Sequence, residues 1–208
     1  TQRHKAKEVK NSPSTKQKRL KNNKCVNFTS DEYLRIGGTL NTFAIGTNPY
    51  TIIAWFKAKT QVGNWFQMGA YKATTDYWYI NASSFINSAL WGMAFTSKVG
   101  NVTKENHSFA TFGTVSPPID ATSENWNMLA ISSNRVNASN VLINSTDVTS
   151  SATHGYSTDN ISPTDHPSSP RYTTIAKYQV SSSGTSISSN TDIKSVAYFD
   201  KYMTADEL

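Results

Sequence analysis

No segment of this 208-residue chain sustains the 3.6-residue apolar period of an amphipathic helix. Short runs of Val, Ile, Thr, Phe, Tyr and Trp recur instead, each closed off by Gly, Asn, Ser or Pro. Strand-like runs cover residues 33–36, 50–57, 65–71, 77–80, 90–96, 128–132, 141–143, 173–176 and 193–199. In the strongest, Thr51, Ile53, Trp55 and Lys57 share one face, and Tyr50, Ile52, Ala54 and Phe56 the other. Apolar residues on both faces mark a strand central to a sandwich. Only the end reads as helical, with Thr204 as N-cap and Glu207 at N3 of a capping box. Many short strands, small polar loops and almost no helix predict an all-β sandwich of jelly-roll type.

The charge is divided unevenly along the chain. Residues 1–24 carry nine Lys and Arg against one acid, Glu8, a net +8. The other 184 residues carry a net −2. Val9 and Leu20 are the only large apolar residues of this stretch. It has too little to bury to offset the entropy of ordering, and reads as an extended basic N-terminal arm. No apolar stretch of about 7–15 residues follows the charges, so the arm does not read as a secretory signal. The expected organisation is the arm, 1–24, followed by a single sandwich domain, 25–208. No apolar run approaches the ~20 residues of a membrane-spanning helix. Cys25 is the only cysteine, so packing rather than an intrachain disulfide must stabilise the domain.

Five motifs, in order, resemble the laminin-G-like, concanavalin A-like lectin/glucanase superfamily. They are Val26-Asn27-Phe28-Thr29-Ser30-Asp31-Glu32-Tyr33-Leu34-Arg35-Ile36, Tyr50-Thr51-Ile52-Ile53-Ala54-Trp55-Phe56-Lys57, Trp126-Asn127-Met128-Leu129-Ala130-Ile131 and Val141-Leu142-Ile143-Asn144-Ser145-Thr146-Asp147-Val148. The fifth joins Ile193-Lys194-Ser195-Val196-Ala197-Tyr198-Phe199-Asp200 to Met203-Thr204-Ala205-Asp206-Glu207-Leu208. The resemblance covers residues 25–208 and implies a concanavalin A-like (jelly-roll) β-sandwich. Activity does not follow from it, because this fold hosts lectins, hydrolases, adhesion modules and structural proteins.

Catalytic chemistry is not expected. Glucanases of the superfamily place two acids at alternate positions of one strand, so that both flank the glycosidic bond. No predicted strand carries such a pair. Cys25 has no nearby His in sequence, and His4, His107, His154 and His166 lack metal-ligand spacing. The stretch His154…Asp159…Asp165-His166 has irregular spacing and neighbouring prolines, Pro163, Pro167 and Pro170, and is read as a solvated loop rather than a metal site. No cofactor is expected. Calcium, which many laminin-G-like domains bind, finds Asp147 and Asp192 as its candidate ligands here.

Two kinds of partner remain. Arg3, Lys5, Lys7, Lys10, Lys16, Lys18, Arg19, Lys21 and Lys24 can neutralise nucleic-acid phosphates, with a salt slope of roughly −6 to −7. This layout resembles that of small-virus coat proteins. It leads to the expectation of a capsid subunit of a virion, with the sandwich self-associating into a shell and the arm on the genome. The alternative is a lectin-like adhesion or surface-decoration module, extracellular or on a cell surface. Sugar binding requires exposed aromatic platforms beside amides and hydroxyls. Tyr77-Trp78-Tyr79 puts aromatic residues on both faces of one strand, and Trp91 opens another, so Trp78 and Trp91 are the candidate platforms.

Overall fold

The computed structural model describes residues 25–29, 32–36, 45–59, 63–73, 76–85, 90–112, 125–144, 146–161, 172–179, 186–188 and 190–208. The arm, with its nine candidate phosphate-binding cations, lies outside the described residues.

Alternation in residues 50–57 builds the centre of the molecule. Tyr50, Ile52, Ala54 and Phe56 are fully buried, while Trp55 and Lys57 turn away from them. This strand, β3 (Tyr50–Ala58), lies in a six-stranded antiparallel sheet with β1 (Val26–Phe28), β8 (Asn127–Ser133), β9 (Ser139–Ile143), β10 (Thr146–Asp147) and β15 (Thr191–Phe199). Its order is β1-β15-β3-β8-β9-β10. A seven-stranded antiparallel sheet comprises β2 (Leu34–Ile36), β4 (Gly63–Ala73), β5 (Asp76–Phe85), β6 (Leu90–Val99), β7 (Val102–Phe112), β11 (Thr153–Gly155) and β12 (Tyr172–Ile175). Its order is β11-β7-β6-β5-β4-β12-β2. A separate hairpin pairs β13 (Lys177–Gln179) with β14 (Ser186–Ser188).

The two sheets face each other across one apolar core, as the jelly-roll expectation requires. Ile52, Phe56, Leu129, Ile131, Val141 and Ile143 of the six-stranded sheet meet Phe66, Met68, Trp78, Ile80, Met93 and Phe95 of the other. Phe56 and Phe66 stack between the sheets at 5.6 Å, and Tyr50 meets Phe95 at 4.8 Å. Each such buried side chain contributes about 1.5–3 kcal/mol through area removed from water.

A smaller apolar cluster lies on the outer face of the six-stranded sheet, where Met128, Ala130 and Leu142 pack with Ile53, Ala205 and Leu208. The C-terminal turn docks there. The expected capping box is present, with Thr204 N donating to Glu207 Oε2 at 2.8 Å, and it opens a short 3-10 helix, Ala205–Glu207.

The sequence reading overlooked β7. Its inward positions include Glu105 and His107 as well as Phe109. Two polar residues at core positions erase the apolar alternation by which a strand is recognised.

Candidate functional site

The platform expectation for Trp78 is corrected. Trp78 is paired in register with Ala70 and Ser97 and is fully buried between the sheets, stacked on Phe95 at 6.1 Å. A ring sealed in the core cannot receive a sugar. Its neighbours Tyr77 and Tyr79 stack on each other at 5.8 Å on the opposite face of β5, where Lys98 Nζ lies 5.9 Å from the Tyr77 ring. Trp91 stands in β6 opposite Ser84 and Thr111, and its side chain lies outside what is described.

Among the described residues, the exposed indole belongs to Trp55, which is 39% accessible. Strand alternation turns it outward because Ala54 and Phe56 turn in. It is flanked in register by Met128 of β8 and Ser195 of β15. Trp126 comes two residues before Met128 and therefore joins the same face. Lys57 Nζ lies 5.2 Å from the Trp126 ring centroid, and Lys194 Nζ lies 5.7 Å from it. Lys194 falls in a register shift between Ile193 and Ser195, and such a bulge re-aims a side chain. Cation–π attraction from two ammonium groups of ~0.5–1 kcal/mol each then holds the Trp126 ring. At the border, Asp192 accepts a hydrogen bond from Asn27 Nδ2 at 2.6 Å and pairs with Lys59 at 2.9 Å. One end of the outer six-stranded face thus presents two indoles, two lysine ammonium groups set against one of them, and an amide–carboxylate rim.

The two aspartates considered for calcium do not converge. Asp192 is engaged as above, beside β1 at one sheet edge. Asp147 lies in β10 at the other edge, where its Oδ1 accepts from Thr149 N at 2.9 Å. Among the described residues, no group of three or more His, Cys, Asp and Glu side chains is placed to hold a metal ion.

A second polar constellation is internal. Glu105, fully buried, accepts from Arg135 Nε at 2.9 Å and Ser133 Oγ at 2.6 Å. It also accepts from Tyr50 OH at 3.3 Å, and His107 Nε2 lies 2.8 Å from the same oxygen. The Nη atoms of Arg135 donate to the carbonyls of Gly46 and Asp159. Burial pushes the Glu105 carboxyl up, but the bonds from His107 and Ser133, the charge of His107 and the bond from Arg135 outweigh it. The carboxyl lies below the usual range. Burial, and then the Glu105 charge, raise the Tyr50 phenol well above its usual value. The carboxylate is fully spoken for, so this cluster reads as a structural lock between β3, β7 and the β8–β9 turn.

His154, assigned to a loop from sequence, lies in β11 and faces His107, their Nδ1 atoms 3.1 Å apart. Asp159 is drawn off by Lys104 at 2.6 Å. Sequence reasoning missed Glu105, Arg135 and the histidine pair because the partners are separated by 30 and 47 residues. It noted Trp55 and Lys57 on one face but did not read them as a site.

No protein-family model and no curated protein matches the sequence. Solved structures do match in fold. The CBM40 of the Ruminococcus gnavus IT-sialidase, bound to α2,3-sialyllactose, is 11% identical with a TM-score of 0.58, over 89% of this chain and 94% of that one. The leech intramolecular trans-sialidase is 12% identical with a TM-score of 0.55, over 89% of this chain and 26% of that one. Mouse laminin α1 domains LG4–5 are 9% identical with a TM-score of 0.55, over 97% of this chain and 48% of that one. This chain therefore spans about a quarter of the leech chain and about half of the laminin chain. The concanavalin A-like (jelly-roll) β-sandwich expected from the motifs is present. The expectation of a virion coat subunit is corrected, since these neighbours of the fold are a CBM40 and laminin G domains and none is a coat protein.

Proposed function

We propose that residues 25–208 form a lectin-like glycan-binding module, acting outside the cell or at its surface. The observation that carries this reading is the outward pairing of Trp55 and Trp126 with Lys57 and Lys194 on one sheet end. Indole faces carry partial negative charge and stack on the weakly positive C–H face of a pyranose ring. The two ammonium groups supply hydrogen-bond donors to ring hydroxyls or acidic substituents. A rigid strand, rather than a loop, positions Trp55, which limits the entropy lost on binding. The sialyllactose carried by the bacterial neighbour of this fold is consistent with sugar recognition on such a sandwich.

Binding without turnover is part of the proposal. Among the described residues Glu105 is the one acid sealed in the interior, and it is held by four side chains rather than poised at a surface cleft. Its bonding supports a structural role.

A glycan array with the purified protein tests the reading. Saturable binding to a defined set of glycans is expected, abolished in Trp55→Ala and Trp126→Ala. Binding to no glycan overturns the function, and binding that survives both substitutions overturns the site.

A further inference from the structure

The contact between His107 and His154 has a hydrogen-bond accounting problem. His107 Nε2 faces the Glu105 carboxylate at 2.8 Å, and a carboxylate oxygen can only accept. His107 Nε2 is therefore the protonated nitrogen. His154 Nε2 faces the Thr149 carbonyl at 3.0 Å, so it is protonated for the same reason. In two neutral imidazoles the Nδ1 atoms are then both bare acceptors, and they face each other at 3.1 Å. One hydroxyl is at hand. Ser139 Oγ lies 2.8 Å from His154 Nδ1, and Tyr156 OH lies 3.1 Å from Ser139 Oγ. A single serine proton serves one lone pair and leaves the other opposed.

The contact needs an electrophile between the two nitrogens, either a second proton on one ring, as the His107 charge beside Glu105 would supply, or a metal cation. We propose that it is a transition-metal cation of the zinc class, held by His107 Nδ1 and His154 Nδ1 with oxygen from Tyr156 or Ser139 and solvent completing the set. Three features support a metal. Nitrogen ligands at about 2.0–2.1 Å on a tetrahedral ion lie roughly 3.3 Å apart, close to the spacing present. Each imidazole has its other nitrogen anchored, one on a carboxylate and one on a backbone carbonyl, which is how metal-binding histidines are oriented. The rings are tilted by 53° with centroids 5.3 Å apart, so they converge edge-on rather than stack. His154 and Tyr156 are only half-buried, and β11 is an edge strand, so an ion reaches the pair from that edge. The inference stands apart from the glycan-binding reading.

Chelator-stripped full-length protein titrated with Zn²⁺ provides the test. One Zn²⁺ per chain is expected, with a melting temperature that rises as Zn²⁺ is added. His154→Gln, at a half-buried edge position, is expected to lose both responses. Absence of saturable uptake, or equal uptake by the wild type and His154→Gln, overturns the site. Imidazole ¹⁵N spectra of the wild type give a reading independent of any variant. Zn²⁺ is expected to shift the Nδ1 signals of His107 and His154 together. Signals of a shared proton that ignore Zn²⁺ overturn the proposal.

Discussion

Arg135 donates from Nε to Glu105 Oε2 across 2.9 Å with the two side chains 1% and 0% exposed. The arginine backbone adopts φ +67°, a left-handed conformation uncommon outside glycine. Its side chain then spans from β7 to the carbonyls of Gly46 and Asp159. Removing one partner strands a buried charge. Arg135→Met is therefore expected to destabilise the fold by about 3–5 kcal/mol, whereas Glu105→Met combined with Arg135→Met recovers much of that loss. Urea unfolding of both variants measures the difference.

The same carboxylate makes stability depend on pH. Its folded-state affinity for protons is lowered relative to an unfolded glutamate, which titrates at about 4.3. The stabilisation is thus fully present above the unfolded value and fades as pH falls through the lower, folded one. Stability followed by urea unfolding is expected to be flat in this component above about pH 5–6 and to decline below that. Glu105→Gln is less stable throughout and has a shallower acid decline.

The legible and illegible parts of this molecule divide along one physical line. Where β-forming residues run unbroken between turn signals, as from Tyr50 to Lys57, sequence alone placed the strand and the two sets of residues that share its faces. The capping box at Thr204 and Glu207 was readable because it is local. The buried lock was not readable, because Glu105 and His107 occupy core positions with polar side chains. Their partners, Arg135 and His154, reach them only through the fold. The expectation of Trp78 as a platform, with Trp55 passed over, failed for another reason. Both strands carry aromatic residues on both faces, and only the closing of the second sheet decides which face is covered.

Trp55 and Trp78 are expected to respond in opposite ways. Trp78→Ala empties a fully buried indole site and is expected to destabilise by about 3–5 kcal/mol. Trp55→Ala, at an exposed position, leaves the unfolding midpoint nearly unchanged and removes glycan binding. Denaturation curves and glycan affinity, measured on both variants, separate the two roles.

Gly69 in β4 marks a close approach of strands. A Cβ built there meets the Trp78 carbonyl oxygen at 2.7 Å and Tyr79 Cβ at 3.0 Å. Both neighbours belong to the adjacent strand and are held by its ladder, so neither yields easily. Gly69→Ala is expected to destabilise by about 1–3 kcal/mol through this overpacking. A midpoint shift in urea without loss of cooperativity is the expected signature.

Gln67, two residues earlier on the same face of β4, is fully buried, and among the described residues neither Oε1 nor Nε2 has a hydrogen-bond partner. Its register partner Asn81 also leaves Oδ1 unpaired, although its Nδ2 donates to Ser83 Oγ at 3.3 Å. A buried amide without partners costs about 1–3 kcal/mol in lost hydration. Methionine has a similar length and no polar group to desolvate, so Gln67→Met is expected to raise stability by about 1–2 kcal/mol. Asn81→Ala makes a useful contrast, since it also removes the Ser83 bond and leaves a void, and no gain is expected. Paired urea titrations of the two variants measure the sign of each change. A loss of stability in Gln67→Met would mean that bound water, rather than nothing, satisfies that amide.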